Sequence, residues 1–322
     1  MKKRFKTLAI AGTIVLGMTS LTGCSSTKEL EEQATDKAKV ALILSQGGVN
    51  DQSFNQSAWK GAVVAEKKYG INAMYYEAKQ ESDFATNIEA AIDQESDLII
   101  GVGFQLTDAI GRAAKAYPEQ KFAIIDGSFG EDIPENVVPI LFNEEQSGYS
   151  VGLIASKMTK TNKVGFIGGM NIPSVTNFLI GFEKAIKEEN PDIQVMSQYA
   201  NSFTDASKGR AISTQMIRNG VDIIFTAGGG VNNGTIEVSK EAGTKVIGVD
   251  MPMNYIMTDT IITSALKNVD TGVELIVKDL VEGNFKGGQV KMFDFSNKGV
   301  GFEKTDLIPN NIIEYVETKI NE

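Results

Sequence analysis

The sequence predicts an α/β protein with doubly wound parallel sheets, arranged as two similar lobes. Three observations carry this. Short, near-continuous apolar runs such as Val40–Ser45 (VALILS) and Asp97–Val102 (DLIIGV) alternate with amphipathic stretches, which suits strands buried on both faces of a parallel sheet. The alternation returns about every 25–30 residues, the length of a βα unit with a right-handed crossover. Finally, the pattern occurs twice: a strand runs into a Gly-rich turn at Ser45–Gly48 and again at Gly165–Gly169, and a later strand ends in glycine at Gly101–Gly103 and again at Gly228–Gly230.

Taken in order, the first series of strands is Val40–Ser45, Ala73–Glu77, Asp97–Val102, Lys121–Asp126 and Pro139–Phe142. The second is Lys163–Gly168, Gln194–Tyr199, Asp222–Ala227 and Lys245–Asp250. Between them the apolar spacing predicts helices over Phe54–Tyr69, Phe84–Gln94, Leu106–Ala116, Glu145–Met158, Val175–Glu189, Ala206–Asn219, Val231–Ala242 and Thr271–Val281. Gly70, Gly220 and Gly243 stand where helix C-termini favour glycine. The last stretch reads as a hairpin-like pair, Gln289–Phe295 and Val300–Phe302, and a closing helix Asn311–Ile320, completing the first lobe and the connections.

Composition excludes several function classes. The chain has 322 residues, 42% hydrophobic and 22% charged, as in an ordinary globular protein of about two domains. The 41 acidic residues outnumber the 31 basic ones, so a phosphate-tracking nucleic-acid binder is not expected. One cysteine makes no intramolecular disulfide and no CxxC metal site. With no histidine, Ser-His-Asp and Cys-His mechanisms are impossible; neither a metal nor a cofactor is expected.

The N-terminus has the anatomy of a leader. Lys2, Lys3, Arg4 and Lys6 precede an apolar stretch, Thr7 to Met18, which is shorter than the ~20 residues needed to span a bilayer. Leu21-Thr22-Gly23-Cys24 resembles the lipobox of bacterial lipoproteins, which implies lipidation of Cys24 and cleavage before it. Removing residues 1–23 takes away four positive charges, moving the net charge from −10 to −14. Ser25 to Lys37 is polar and reads as a tether. The expected organisation is a signal peptide over 1–23, a lipid-anchored tether over 24–38, a first lobe from 39–143 plus 251–290, a second lobe over 144–250, and a hinge and closing segment over 291–322.

Gly148-Tyr149-Ser150-Val151-Gly152 matches the GxSxG nucleophile pattern, but it lies in a helical stretch of a chain without histidine; close helix packing is its expected role. Gly228-Gly229-Gly230 follows a strand and opens a helix without the spacing of a nucleotide-phosphate loop. It is either a backbone ligand contact at a strand end or a tight turn. In Asp51–Gly61 (DQSFNQSAWKG), Asp51 or Ser53 can cap the next helix. Phe54 beside Asn55 suits a flat polar ring, although a core phenylalanine beside a capping aspartate accounts for the same residues. Asp126 and Asp250 each end a strand, where carboxylates accept hydrogen bonds from hydroxyl groups; loop or capping carboxylates are the alternative.

Together these segments resemble the basic membrane protein family of bacterial lipoproteins, nucleoside-binding components of ABC importers. The match rests on DQSFNQSAWKG, on Gly165–Gly169 with Pro173 and Gly181-Phe182, on Asn201-Ser202-Phe203-Thr204-Asp205, on Gly248-Val249-Asp250 and on Thr263–Lys267. The resemblance implies a type I periplasmic-binding-protein fold, two doubly wound lobes joined by a multi-strand hinge with a nucleoside between them. It implies a base between Phe54 and Phe203, polar contacts from Asn55 and Asp126, ribose contacts from Asp250 and Lys267, and a backbone contact at Gly228. Ser45 and Asp51 complete the expected ligand set. Ser45 stands where many relatives carry an acidic residue, and Met251-Pro252-Met253-Asn254 stands where relatives often place an Asp and a Gln. Implied partners are an ABC permease with its ATPase, and the extracytoplasmic face of the cell membrane through the N-terminal lipid. Rival readings are a sensing or regulatory surface lipoprotein with a non-nucleoside ligand, and a carboxylate-based nucleoside hydrolase.

Overall fold

The computed structural model describes residues 37–322. The leader, Cys24 and nearly all of the tether lie outside the described residues. The strands are β1 (Lys39–Leu44), β2 (Asn72–Glu77), β3 (Leu98–Val102), β4 (Lys121–Ile125), β5 (Val137–Phe142), β6 (Lys163–Gly168), β7 (Gln194–Tyr199), β8 (Ile223–Ala227), β9 (Lys245–Asp250), β10 (Ile261–Lys267), β11 (Lys291–Phe293) and β12 (Val300–Phe302). The helices are α1 (Phe54–Tyr69), α2 (Asp83–Asp93), α3 (Thr107–Ala116), α4 (Glu144–Met158), α5 (Pro173–Glu189), α6 (Ala206–Arg218), α7 (Val231–Ala242), α8 (Val269–Val281) and α9 (Asn310–Asn321).

They form two six-stranded sheets with matching wiring, β11-β5-β4-β3-β1-β2 and β12-β10-β9-β8-β6-β7. The first is parallel throughout, and the second is parallel except for β12, which runs antiparallel to β10. The near-continuous apolar strands follow from burial on both faces. Along β1, Val40, Leu42 and Leu44 enter one apolar cluster, while Ala41 and Ile43 enter the cluster on the opposite face. On the second sheet, Phe225 meets Phe166 at 5.3 Å, Phe178 at 5.9 Å and Phe182 at 5.3 Å.

Three segments carry the chain between the sheets. Asn143 links β5 to α4, Asn268 links β10 to α8, and residues 294–299 link β11 to β12. This placement corrects the expected division. β10, which falls inside 251–290, belongs to the second sheet because it pairs in parallel with β9, and only α8 returns to the first lobe, against α1. Nor do the last two strands form a hairpin: β11 joins β5 and β12 joins β10, so this pair ties the two sheets together. The closing helix α9 packs on α4, and Val316 enters the second lobe's core rather than the first's.

The GxSxG segment lies within α4. The Ser150 hydroxyl is buried and donates to the Ser147 carbonyl at 2.7 Å. The glycines let α4 and α5 touch backbone to backbone. A Cβ on Gly148 would sit 2.1 Å from the Phe178 carbonyl oxygen, and one on Gly181 would sit 1.9 Å from that of Glu145.

Candidate functional site

The C-terminal ends of strands from both sheets line one cavity, where open α/β sheets hold their ligands. From the first lobe come Ser45 after β1, Asp51, Phe54 and Asn55 at the start of α1, Gly103 to Gln105 after β3, and Asp126 after β4. The second lobe supplies Ile172, Val175 and Phe178 around the start of α5, Phe203 before α6, Gly229 after β8, and Asp250 and Lys267 ending β9 and β10.

Local hydrogen bonding explains how the first wall is held. Asp51, not Ser53, caps α1. Its carboxylate accepts the backbone N–H groups of Ser53 at 2.9 Å, Asn55 at 2.9 Å and Gln56 at 3.1 Å, satisfying donors that a helix start leaves orphaned. Asp51 therefore lies in the wall with its acceptors occupied, and burial raises its pKa against those hydrogen bonds. The Ser45 hydroxyl donates to the Asn55 side-chain oxygen at 3.1 Å, and the Asn55 amide returns a bond to the Ser45 carbonyl at 3.4 Å. Both side chains are thus fixed before any ligand arrives.

The second wall places Phe203 on a loop pinned from two sides. Gly230 N–H donates to the Phe203 carbonyl at 2.8 Å, and Ser202 N–H donates to the Gly169 carbonyl at 3.1 Å. Gly169 leaves room for the ring, since a Cβ there would come within 2.4 Å of it. Phe54 and Phe203 thus face the same cavity from opposite lobes. The expected backbone contact at Gly228 is corrected: its N–H donates to the Asn232 side-chain oxygen at 2.9 Å, and of Gly228, Gly229 and Gly230 it is Gly229 that lines the cavity.

The floor is a buried charge cluster. Lys267, 2% exposed, donates to Asp126 Oδ2 at 2.6 Å and to Glu144 Oε1 at 2.8 Å. Its Nζ also lies 5.4 Å from the centre of the Phe54 ring and 5.2 Å from that of Phe142, within range of a cation–π attraction. Asp250 accepts a hydrogen bond from the Ser53 hydroxyl. Burial pushes the Asp126 carboxyl up to about 7, against the pull of Lys267 and with a further push from Glu144 and Asp250. Burial likewise carries Asp250 to about 6, against Lys267 and the Ser53 hydrogen bond. For Lys267, burial favours the neutral amine, but the surrounding carboxylates outweigh it and hold the pKa above that of an ordinary lysine. Asp126 Oδ1 is buried without a hydrogen-bond partner. A carboxylate oxygen left unpaired in a cavity wall is costly unless a donor meets it, so the site is ready for a hydroxyl or N–H group. With three carboxyl groups around one ammonium, it is hostile to an anionic ligand.

Sequence reasoning missed Glu144 and Ser53, which at their positions read only as helix-start residues. It also missed Phe104 and Gln105, which the strand-end rule could have found because they follow β3 directly.

Two matched α/β lobes around a polar cleft at their strand ends define a cleft-type binding protein. The chain belongs to the family described as ABC transporter substrate-binding protein, PnrA-like, which matches residues 37–322. It is 36% identical over 350 residues to a CD4+ T-cell-stimulating antigen of Listeria innocua, covering 98% of this chain and 95% of that one. It is 34% identical over 323 residues to the ABC transporter nucleoside-binding protein BmpA of Lactococcus lactis, covering 93% and 91%. Among solved structures, an ABC transporter solute-binding protein from Aeropyrum pernix superposes with a TM-score of 0.78 at 28% identity, covering 88% of this chain and 86% of that one. The fold is that of the type I periplasmic-binding proteins.

Proposed function

We propose that this protein is a lipid-anchored, extracytoplasmic receptor that captures a nucleoside and delivers it to an ABC import permease. The observation that carries this reading is that Phe54 and Phe203, from opposite lobes, line one cavity together with the carboxylates of Asp126 and Asp250. A flat base stacks between the rings, and ribose hydroxyls donate to Asp126 Oδ1 and to Asp250. The carboxylate excess favours a nucleoside over its phosphate esters. The nucleoside-binding name of the Lactococcus lactis relative supports the same ligand class. Each aromatic face contributes ~0.5–1.5 kcal/mol beyond area burial.

Mass spectrometry of ligand carried through purification tests the class directly, with a nucleoside expected. In calorimetry, Phe54→Ala weakens nucleoside binding at least about tenfold while leaving thermal unfolding intact; unchanged affinity would sink the assignment. Anchoring is tested separately: Cys24→Ala releases the protein from the membrane fraction, and full retention of that variant would refute the lipid.

A further inference from the structure

Asp250 lines the cavity from a backbone that needs holding. Its φ is 66°, in the left-handed region, where a non-glycine residue persists only if its surroundings keep it there. Support from the sheet is one-sided at this point. The pairing of β9 with β8 ends at Ile247, so Gly248, Val249 and Asp250 pair with β10 alone.

Further support comes from a turn that folds back on the sheet. Met251 N–H donates to the Val249 carbonyl at 2.8 Å, closing the reversal around Asp250. Met253, 1% exposed, then packs on Gly248, where a Cβ would come within 2.7 Å of its sulfur and 2.9 Å of the Ser264 hydroxyl oxygen. One carboxylate receives this turn. Glu303 Oε2 accepts the Met253 N–H at 3.0 Å and the Ser264 hydroxyl at 2.8 Å, and both Glu303 oxygens accept the Asn254 N–H at 3.3 Å. Glu303 is itself fixed. It follows β12 directly, its N–H donates to the Ser264 carbonyl at 2.9 Å, and its own carbonyl accepts the Thr263 hydroxyl at 2.7 Å. It lies 50 residues along the chain from Met253 and is not among the residues lining the cavity.

We propose that Glu303 is a positioning residue for ligand capture: it holds the Met251–Asn254 turn against Gly248 and so fixes the backbone from which Asp250 meets the hydroxyl groups of the ligand. The effect on affinity rests on the nucleoside reading; the hold on the Asp250 turn does not. Backbone N–H groups bound by a carboxylate form stronger hydrogen bonds than those bound by a neutral acceptor. Removing that carboxylate frees the turn, and Asp250 loses the geometry that a hydroxyl contact needs while the aromatic faces are untouched.

The test compares wild type with Glu303→Ala and Glu303→Gln, with circular dichroism as the control for folding. Hydrogen exchange of the ligand-free proteins is expected to be faster at the Met251, Met253 and Asn254 amides in Glu303→Ala. In calorimetry with inosine and cytidine, each against its 2′,3′-dideoxy analogue, Glu303→Ala is expected to weaken the ribonucleoside about tenfold and leave the dideoxy analogue unchanged. In Glu303→Gln one side-chain oxygen still accepts from Met253 and Ser264, so the loss is about threefold, and this variant is read if the alanine variant does not fold. Unchanged exchange overturns the proposal. So does unchanged affinity, or an equal loss for both members of a pair, which would mark a general structural role. A wild type that binds none of these compounds counts against the proposed function alone, and exchange at Met251, whose N–H closes the turn around Asp250, then decides whether Glu303 holds it.

Discussion

The two lobes repeat one wiring but answer their strand-end aspartates differently. In the first, Asp126 meets a buried ammonium that also serves Glu144. In the second, Asp250 meets a neutral hydroxyl. The difference lies in what holds each carboxylate, because Asp126 also keeps Oδ1 without a partner. A buried ion pair next to the hinge is costly to break, because either partner alone is a stranded charge. A carboxylate held by a hydroxyl keeps its negative charge and an oxygen for a ligand.

The largest expected effect breaks the first arrangement. Lys267→Met strands Asp126 and Glu144 without their cation and costs ~3–5 kcal/mol of unfolding free energy near pH 8, read from urea denaturation. A loss under ~1 kcal/mol would mean the cluster is not holding the fold. Next comes Asp250→Asn, which leaves stability nearly unchanged but weakens nucleoside binding about ten- to hundredfold, the value of ~1.5–3 kcal/mol for charged hydrogen bonds. If it instead unfolded the protein while affinity in the folded fraction held, the contrast between the two aspartates would be wrong.

The smallest effect is on pH. Asp126 faces Lys267, Glu144 and Asp250, while Asp250 faces Lys267, Asp51 and Glu144. Both carboxyls hold protons more tightly in the folded chain than at the ordinary value of 3.8. Their contribution to stability is therefore complete below about pH 4 and is lost as pH rises through about 6 and about 7. Binding a hydroxyl donor runs the other way, since it favours the ionised carboxylates. Nucleoside affinity is expected to fall several-fold on acidification from pH 8 to about 5, with proton release on binding near neutrality. Calorimetry in buffers of different ionisation enthalpy measures that release, and its absence would mean that neither carboxyl meets the ligand. In Asp126→Asn the stability slope over the same window is shallower than in wild type.

Much of this frame can be read in the sequence because parallel strands buried on both faces leave an unmistakable apolar signature. The bounds of α1, α7, β6, β7 and β9 match their sequence-based expectations residue for residue. β10 escaped because Ile261–Lys267 contains Thr263, Ser264 and Lys267, whose polar groups are satisfied by contacts distant in sequence: Thr263 and Ser264 by Glu303, Lys267 by Asp126 and Glu144. The lobe boundary failed with it, since a strand's sheet is set by its neighbour rather than by its position in the chain. In the site, residues at strand ends were legible, as at Asp126 and Asp250. Glu144 was not, because a glutamate in the first turn of a helix is ordinary until a buried lysine is found beside it.

The backbone contact between α4 and α5 has a consequence for how such a protein can change. At Gly148 and Gly181 even one added carbon collides with a main-chain carbonyl, so almost no variation is tolerated there. Ser45 lines the cavity instead, so a change there alters the wall and its bond to Asn55 rather than the packing of α4 on α5. Cargo preference can therefore drift one wall residue at a time while the frame that closes around it stays the same.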